Sequence, residues 1–577
     1  MRFSPRSKMS IILTSVTTLA VLATFMVMFV SHGANAQGAT ASASTVTYQG
    51  TPLKASQTTT STGLPTKVVK PTRLSKNGPT DLESLNPFAD NGPGDDAVTN
   101  SGAAAHFNKK NAAASPNFAT GQLLHTFNGI SDLNNDTTIG GELTPPDQGL
   151  CVGPLPSGGQ EIVFEPVNDT IGEYTKSGTL LHMESLNTLF QDPNGIGDVR
   201  CFYDPSSKAF YFTEISFDAT GNTVDELAVL DKHGFAVYTF PTSLGGNCFG
   251  DQPHVGYDNN NIYMATDEFC ATYEGALLIA VSKSQLLQEV ISPIAVGFGP
   301  VSLGGIPVLT LQPAVSTGIN TEYLLNSFPF DAFGNSNGVE NLLGFWQVKN
   351  GQNVTNGGSV TLVGQLISSE TYGLPQPAAS TGSGTVVATV SGFPITSEAF
   401  LNPDDDRMQS VQAVKDGSGV SVYAALNSAV LLSGDPSARD GVAWFKINAQ
   451  AAKVSQQGYV SVAGSYIMYP TIIHGSDGTT ALVFSITSPI LNPSSAYTVM
   501  KAGASNFSGI HITALGASAH LSFSDAPPFS RARWGDYSAT ALDPGTGNIW
   551  GANEYIPPAA DQGAFDNWGT NVFELAQ

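Results

Sequence analysis

One short pattern recurs along the chain: a polar start, a brief apolar run, a turn of Asp, Asn, Gly, Ser or Pro, and a second β-rich run. The copies read PPDQGLCVGPLPSGGQEIVFEPVN from Pro145, GDVRCFYDPSSKAFYFTEIS from Gly197, GDQPHVGYDNNNIYMATDEF from Gly250 and LQPAVSTGINTEYLLNSF from Leu311. They continue as DRMQSVQAVKDGSGVSVYAALN from Asp406, MYPTIIHGSDGTTALVFSITS from Met468 and RWGDYSATALDPGTGNIWGANEY from Arg533. Turn formers set between β-formers are the signature of a hairpin. A second landmark follows each copy, as in DELAVLDK, EGALLIAVSK, ENLLGFWQVKN, RDGVAWFKIN, SAYTVMKAG and WGTNVFELAQ, with a weaker GEYTKSGTLL in the first unit. Each unit therefore holds at least three strands, and two landmarks agree on seven units.

Composition supports many strands joined by turns: 60 Gly and 35 Pro, with only 12% charged residues, leave little material for long helices. The spacing between Gln312 and Arg407 is the longest and holds LPQPAASTGSGTVVATVSGFPITSEAF, a decorated loop or a degenerate eighth unit. After Asp536 too little chain remains for a complete unit, so the last sheet should lack a strand. GQLLHTFNGI, Gly121 to Ile130, lies before the first unit and would supply it. Such closure removes exposed sheet edges. The expected fold is all-β: a seven-bladed β-propeller closed by an N-terminal strand, with six or eight blades as the alternatives. A linear solenoid would instead need polar capping repeats.

The N-terminus bears on the compartment. Basic residues Arg2, Arg6 and Lys8 precede an uncharged stretch from Met9 to Val30, and Ala34-Asn35-Ala36 fits a small-x-small cleavage site. Residues 1–36 read as a signal peptide; the same stretch is also long enough for a retained membrane anchor. Residues 37–117, rich in Ser, Thr and Ala, read as a disordered linker, a stalk carrying the propeller domain of residues 118–577. The protein is expected outside the cell or on its surface, as a monomer, touching membrane only if the N-terminal segment stays uncleaved. The net charge of −23 argues against nucleic acid, which needs a basic footprint.

In an oxidising compartment the four cysteines imply disulfides, with three pairings open. The repeat positions favour Cys151 with Cys201, on first strands of neighbouring units, and Cys248 with Cys270, which bracket one hairpin.

The run R-W-G-D-Y, then D-P, a Trp and N-E-Y, resembles secreted bacterial propeller proteins and the sialidase-like superfamily with its Asp-box turns. The likeness covers roughly Pro145 to Gln577. In ALDPGTGNIW, Asp543, Gly545 and Trp550 fit the Asp-box, while Ala541 stands where a hydroxyl residue is usual and the aromatic comes late. The resemblance implies fold more than activity.

First strands of a propeller converge on its axis, so their polar starts should ring one mouth: Asp147, Asp198, Arg200, Asp251, His254, Gln312, Arg407, Arg533 and Asp536. Only eight arginines are present, and Arg200, Arg407 and Arg533 each occupy a unit start. Three guanidiniums at one point would clamp a carboxylate, as the resemblance to sialidases implies. Asp251 or Asp536 would then serve as general acid if burial raised its pKa, with Glu554 a further catalytic candidate. The alternative is that each arginine pairs with a neighbouring Asp and staples adjacent sheets, and this is favoured. Sialidases pair a Tyr nucleophile with a Glu, yet Glu554 and Tyr555 are adjacent and face opposite sides of a strand. Tyr263, Tyr423 or Tyr469 with Glu214, Glu268 or Glu554 are the other combinations.

Asp132, Asn134 and Asp136 in DLNNDTTIGGE place oxygens at alternate positions like a calcium loop, although Thr137 stands where that loop wants Gly. PDDDR, Pro403 to Arg407, reads as a solvated turn or a cation site. Trp346 and Trp444 read as core; Trp534 and Trp568, near loop ends, as core or as sugar-stacking platforms. The leading expectation is a propeller binding an extracellular glycan or protein at the mouth. A sialidase-like glycoside hydrolase or lyase, and a cell-envelope scaffold, are the alternatives.

Overall fold

The computed structural model describes residues 45–70, 80–81, 123–141, 143–218, 221–243, 248–328, 339–417, 419–523 and 532–577. The expected signal peptide, residues 1–36, lies outside them, as does most of the 37–117 linker.

The chain is all-β, built from antiparallel sheets that follow one another in sequence. Four-stranded groups occupy residues 151–185, 195–241, 249–303, 312–373, 408–460 and 466–514. The last group joins Ala539–Leu542, Ile549–Tyr555 and Gly569–Leu575 to Leu123–Ser131, which pairs antiparallel with Gly569–Leu575. Four of the hairpin turns are built the same way. Asp204, Asp258, Asp477 and Asp543 accept the backbone N–H two residues on, from Ser206, Asn260, Thr479 and Gly545, at 2.7–2.9 Å. The repeated Asp is thus an Asx-turn former, which explains its recurrence without chemistry.

Second strands such as Ala209–Phe217 and Thr480–Ser488 are buried at every residue. They are covered on both faces because neighbouring sheets pack face to face. Phe164 of the first sheet meets Phe210 and Phe212 of the second. Tyr211 of the second joins Tyr257 and Met264 of the third, and Trp346 of the fourth joins Phe298 of the third. The series continues through Phe345 with Phe445, Trp444 with Phe484, and Tyr497 with Phe573. It then returns to the first sheet, where Trp550 and Val572 pack with Val152, Val163 and Tyr174. Cys151–Cys201 joins the inner strands of the first and second sheets, and Cys248–Cys270 brackets a hairpin, the pairing the repeat positions favour.

Several expectations are corrected. The segment read as disordered linker contributes four strands, one of them the short Thr80–Asp81, which pairs with Leu143–Thr144. Thr45–Gln49 adds to the outer strand Thr361–Gly373, Thr51–Lys54 to Ile294–Leu303, and Ser56–Ser61 to Gly234–Pro241. Lys67 and Val69 then reach the first sheet, through Gln191 Nε2 donating to Lys67 O and Val69 N donating to Thr188 Oγ1. This strap is held by backbone pairing to outer edges, which requires no apolar content and so leaves no mark in composition. Asp132–Ile139 is an α-helix, not a calcium loop: Ser131 caps it and Asn134 completes the capping box. Helical residues two apart point to different sides, so Asp132, Asn134 and Asp136 do not converge on one ion. The long spacing before Arg407 holds two small additions, not a four-stranded unit: Ala378–Ala379 with Phe400–Leu401, and Thr385–Val390 with Phe393–Ser397 and Leu521–Ser522. Trp534 and Trp568 are fully buried and offer no sugar platform.

Removing residues 45–62 should leave a folded protein that melts several degrees lower and self-associates through its uncovered edges. Thermal melts and size-exclusion chromatography of that truncation check this; an unchanged melting temperature would show that the strap contributes nothing.

Candidate functional site

The inner strands carry a repeated irregularity. Register shifts fall between Gly197 and Arg200, Asp251 and His254, and Met468 and Thr471. At each, a non-glycine residue takes a left-handed conformation: Asp198 (φ 54°), Gln252 (φ 50°) and Tyr469 (φ 51°). A bulge re-aims the side chains that follow it, and strained backbone of this kind concentrates at functional sites. The residues two positions on are Arg200, His254 and Thr471, at equivalent places in three sheets.

Two of these residues, Arg200 and His254, meet around Tyr537. The Arg200 guanidinium carbon lies 3.0 Å from the centre of the Tyr537 ring. The Tyr537 hydroxyl donates to Asp198 Oδ2 at 3.4 Å, and the His254 ring approaches edge-on at 6.0 Å. His254 is buried, and burial, then the charges of Arg200 and Arg407, hold its pKa well below the usual imidazole value.

Arg407 is saturated by its own segment: Nε and Nη2 each donate to Asp405 at 2.8 Å, and Asp404 Oδ2 lies 3.0 Å from Nε. PDDDR is therefore a buried clamp on its own arginine, not a solvated turn. Arg533 Nη2 pairs with Asp536 Oδ2 at 3.0 Å, and Asp536 N donates to Asp147 Oδ1 at 2.8 Å. Burial, then the charges of Asp536 and Asp198, raise the Asp147 carboxyl well above its ordinary value. Glu554 accepts from Gly535 N at 2.7 Å and is likewise raised by burial. Asp251 accepts the N–H of Gln252 at 2.9 Å. Arg200 and Arg407 both act on His254, while Arg407 and Arg533 both act on Tyr469, so the three arginines share one charged belt. Their partners differ from those expected. Arg407 and Arg533 each pair with an Asp of their own segment, and Arg200 reaches across sheets by stacking on Tyr537.

Below this belt lies a cavity of about 550 Å³ lined by inner-strand residues of every sheet: Gln148, Arg200, Tyr257, Gln312, Gln409, Thr471 and Tyr537 among them. Of the arginines among the described residues only Arg200 lines it; Arg407, Arg533, Asp251, His254, Asp536 and Glu554 do not. Gln148 Nε2 donates to Tyr537 O at 2.9 Å and Gln312 Nε2 to Pro313 O at 3.2 Å. Gln148 Oε1, Gln312 Oε1, Ser538 Oγ and Arg200 Nη2 are buried without a partner. The belt was legible from the polar unit starts. Tyr537 and the cavity were missed, although the two-residue offset after each bulge would have pointed inward.

The tyrosines weighed as nucleophiles are engaged elsewhere. Tyr469 donates to Asn402 O at 2.9 Å, Tyr263 to Asp258 Oδ2 at 3.2 Å, and Tyr423 stacks on His474 at 4.4 Å. Among the described residues none of the three hydroxyls is hydrogen-bonded to Glu214, Glu268 or Glu554.

No protein-family model matches the chain, and no curated protein matches it. Solved structures do. A protein of unknown function from Dyadobacter fermentans aligns with TM-score 0.34 and 9% identity, over 66% of this chain and 94% of that one. An endo-arabinase from Bacteroides thetaiotaomicron aligns with TM-score 0.28 and 8% identity, over 65% and 92%. The neuraminidase-like protein of a flat-faced bat isolate from Peru aligns with TM-score 0.25 and 7% identity, over 51% and 70%. At these scores the likenesses assign neither activity nor ligand.

Burial of carboxyl groups sets the pH response. Burial pushes Asp267 up to about 6, and Glu165, Asp169 and Asp225 up to about 7. A carboxyl whose folded pKa is raised contributes its full stability below the unfolded value, about 4, and that contribution is lost as pH rises through the folded values. With divalent cations chelated, the melting temperature should be higher near about pH 5 than near about pH 8. Thermal melts across that range check this; a flat or rising profile contradicts it.

Proposed function

We propose that the chain is an exported seven-bladed β-propeller, closed by its N-terminal strand, that binds a short extracellular glycan in the axial cavity. The reading of closure is supported by the pairing of Leu123–Ser131 with Gly569–Leu575 and by the interface from Trp550 back to Val163. The two disulfides suit an oxidising compartment, and among the described residues no helix is long and apolar enough to cross a membrane.

The observation that carries the ligand reading is the cavity itself. Its volume of about 550 Å³ falls within the range of small-ligand sites, which run to several hundred Å³. Its lining mixes amide groups of Gln148, Gln312, Gln409 and Gln412 with hydroxyls of Ser410, Thr471, Ser538 and Thr540 and the ring of Tyr257. Amides and hydroxyls offer donors and acceptors in comparable number, which suits a polyhydroxyl compound. A concave, inward-facing site suits a short oligosaccharide better than a protein surface.

A hydrolase using the belt is the second reading. It rests on Glu554, buried with Oε1 unpartnered and its carboxyl raised, as a general acid must be.

Binding is tested by a glycan array followed by calorimetry on the hits. Gln312→Leu and Ser538→Ala should each weaken binding by about tenfold, the worth of one good hydrogen bond. Hits whose affinity ignores both substitutions would remove the cavity from the account. Hydrolysis of fluorogenic glycosides that Glu554→Gln abolishes would replace the binding reading with the hydrolase.

A further inference from the structure

The second sheet holds an acidic cluster, Asp192, Glu214 and Glu226, none of which lines the cavity. Glu214 on Ala209–Phe217 and Glu226 on Thr223–Asp231 are direct cross-strand partners. They share a face with Phe210, Phe212, Ala228 and Leu230, which pack toward the first sheet. Asp192 joins them from the turn after the short helix Leu186–Phe190. One carboxylate oxygen from each of the three residues lies within 4.8 Å of the others.

Like charges directly opposite on neighbouring strands are destabilising, and burial makes them more so. Glu214 is fully buried, no N–H or hydroxyl donor reaches either of its carboxylate oxygens, and the polar side chain it meets is the Glu226 carboxyl. Glu226 is also buried, with Oε2 unpartnered. Among the described residues no lysine or arginine is ion-paired with any of the three.

Asp192 is held toward the pair by several contacts. Asn194 N donates to Asp192 Oδ1 at 2.9 Å, and Asn187 Nδ2 donates to the carbonyls of Asp192 and Asn194 at 2.8 and 2.9 Å. Ser216 Oγ donates to Asp192 Oδ2. A turn tied down this firmly brings a third negative charge to a place that already has two.

We infer that Asp192, Glu214 and Glu226 form a calcium site that fastens the turn after Leu186–Phe190 to the second sheet. Carboxylate oxygens are hard ligands suited to calcium, whose bonds of about 2.3–2.6 Å place opposite ligands roughly 5 Å apart. The observed separation of up to 4.8 Å fits that span. Magnesium, with bonds of about 2.0–2.1 Å and a strict octahedron, needs a tighter set. A proton shared between Glu214 and Glu226 is the competing occupant. It would satisfy those two groups but leave the third carboxylate, Asp192, uncompensated by any cation. The site also has a structural consequence, because the fastened turn leads directly into Gly195–Asp204, the strand that carries Asp198 and Arg200.

The test uses the full chain, stripped with chelator, at about pH 7.5, where carboxylates outside buried sites are ionised. Calcium chloride should raise the melting temperature by several degrees, with magnesium chloride doing markedly less, and elemental analysis after dialysis should find one calcium per chain. Asp192→Asn, at a half-buried position that leaves the strand pair intact, should abolish the calcium-dependent shift. Glu214→Gln should abolish it too, while raising the melting temperature of the calcium-free protein. If Glu214→Gln fails to fold, Asp192→Asn alone decides. No calcium-dependent shift in the parent protein, or a shift that survives Asp192→Asn undiminished, overturns the assignment. Calcium-free protein that holds no metal and melts identically with and without calcium points to the shared proton.

Discussion

The pairing of Leu123–Ser131 with Gly569–Leu575 is the constraint on which the rest of the structure leans. A succession of sheets stacked face to face buries every interface except the two at its ends. Here the end sheets meet, with Trp550 and Val572 packed on Val163 and Tyr174. The sheet that makes this contact is completed by a strand from the other end of the folded region. Without that strand, Gly569–Leu575 would present an open edge in the body of the molecule. Thr570 Oγ1 donating to Ile130 O, and Asn571 Nδ2 to Phe127 O, at 2.9 Å each, add side-chain bonds to the ladder. The inner strands can then face a common space, where residues far apart in sequence, such as Gln148 and Tyr537, become hydrogen-bonded neighbours.

That common space is bounded by two regions with different chemistry. In the belt Arg407 is paired with Asp405 and Arg533 with Asp536, so both guanidiniums are engaged by carboxylates before any ligand arrives. The cavity mixes apolar side chains with amides and hydroxyls and carries few charges, with Arg200 belonging to both. Ligand selection and structural charge pairing are thereby separated along the inner strands. The left-handed residues Asp198, Gln252 and Tyr469 mark the level at which one regime gives way to the other. Strain at three equivalent places is offset by the interlocking of neighbouring sheets.

The hairpins were legible because their turns obey local chemistry: Asp204, Asp258, Asp477 and Asp543 accept backbone N–H groups within the turn they occupy. The disulfide pairing was legible for a related reason, since equivalent positions in neighbouring repeats must lie side by side. Arg200, Arg407 and Arg533 were correctly placed at unit starts, but their partners were not, because a forked pair between Arg407 and Asp405 depends on the course of one turn. The strap was invisible because edge pairing uses backbone groups that every residue has. The helix at Asp132–Ile139 was misread as a loop although Ser131 and Asn134 spell a capping pair. The Glu214–Glu226 juxtaposition requires strand register, which no single segment contains.

Hydrogen exchange of the native protein tests the closure most directly. Amides of residues 123–131 should be as strongly protected as those of Gly569–Leu575, and the two segments should lose protection together as denaturant is added. Rapid exchange at residues 123–131, in protein whose Ile549–Tyr555 amides remain protected, would contradict it and leave the sheets without their closing strand.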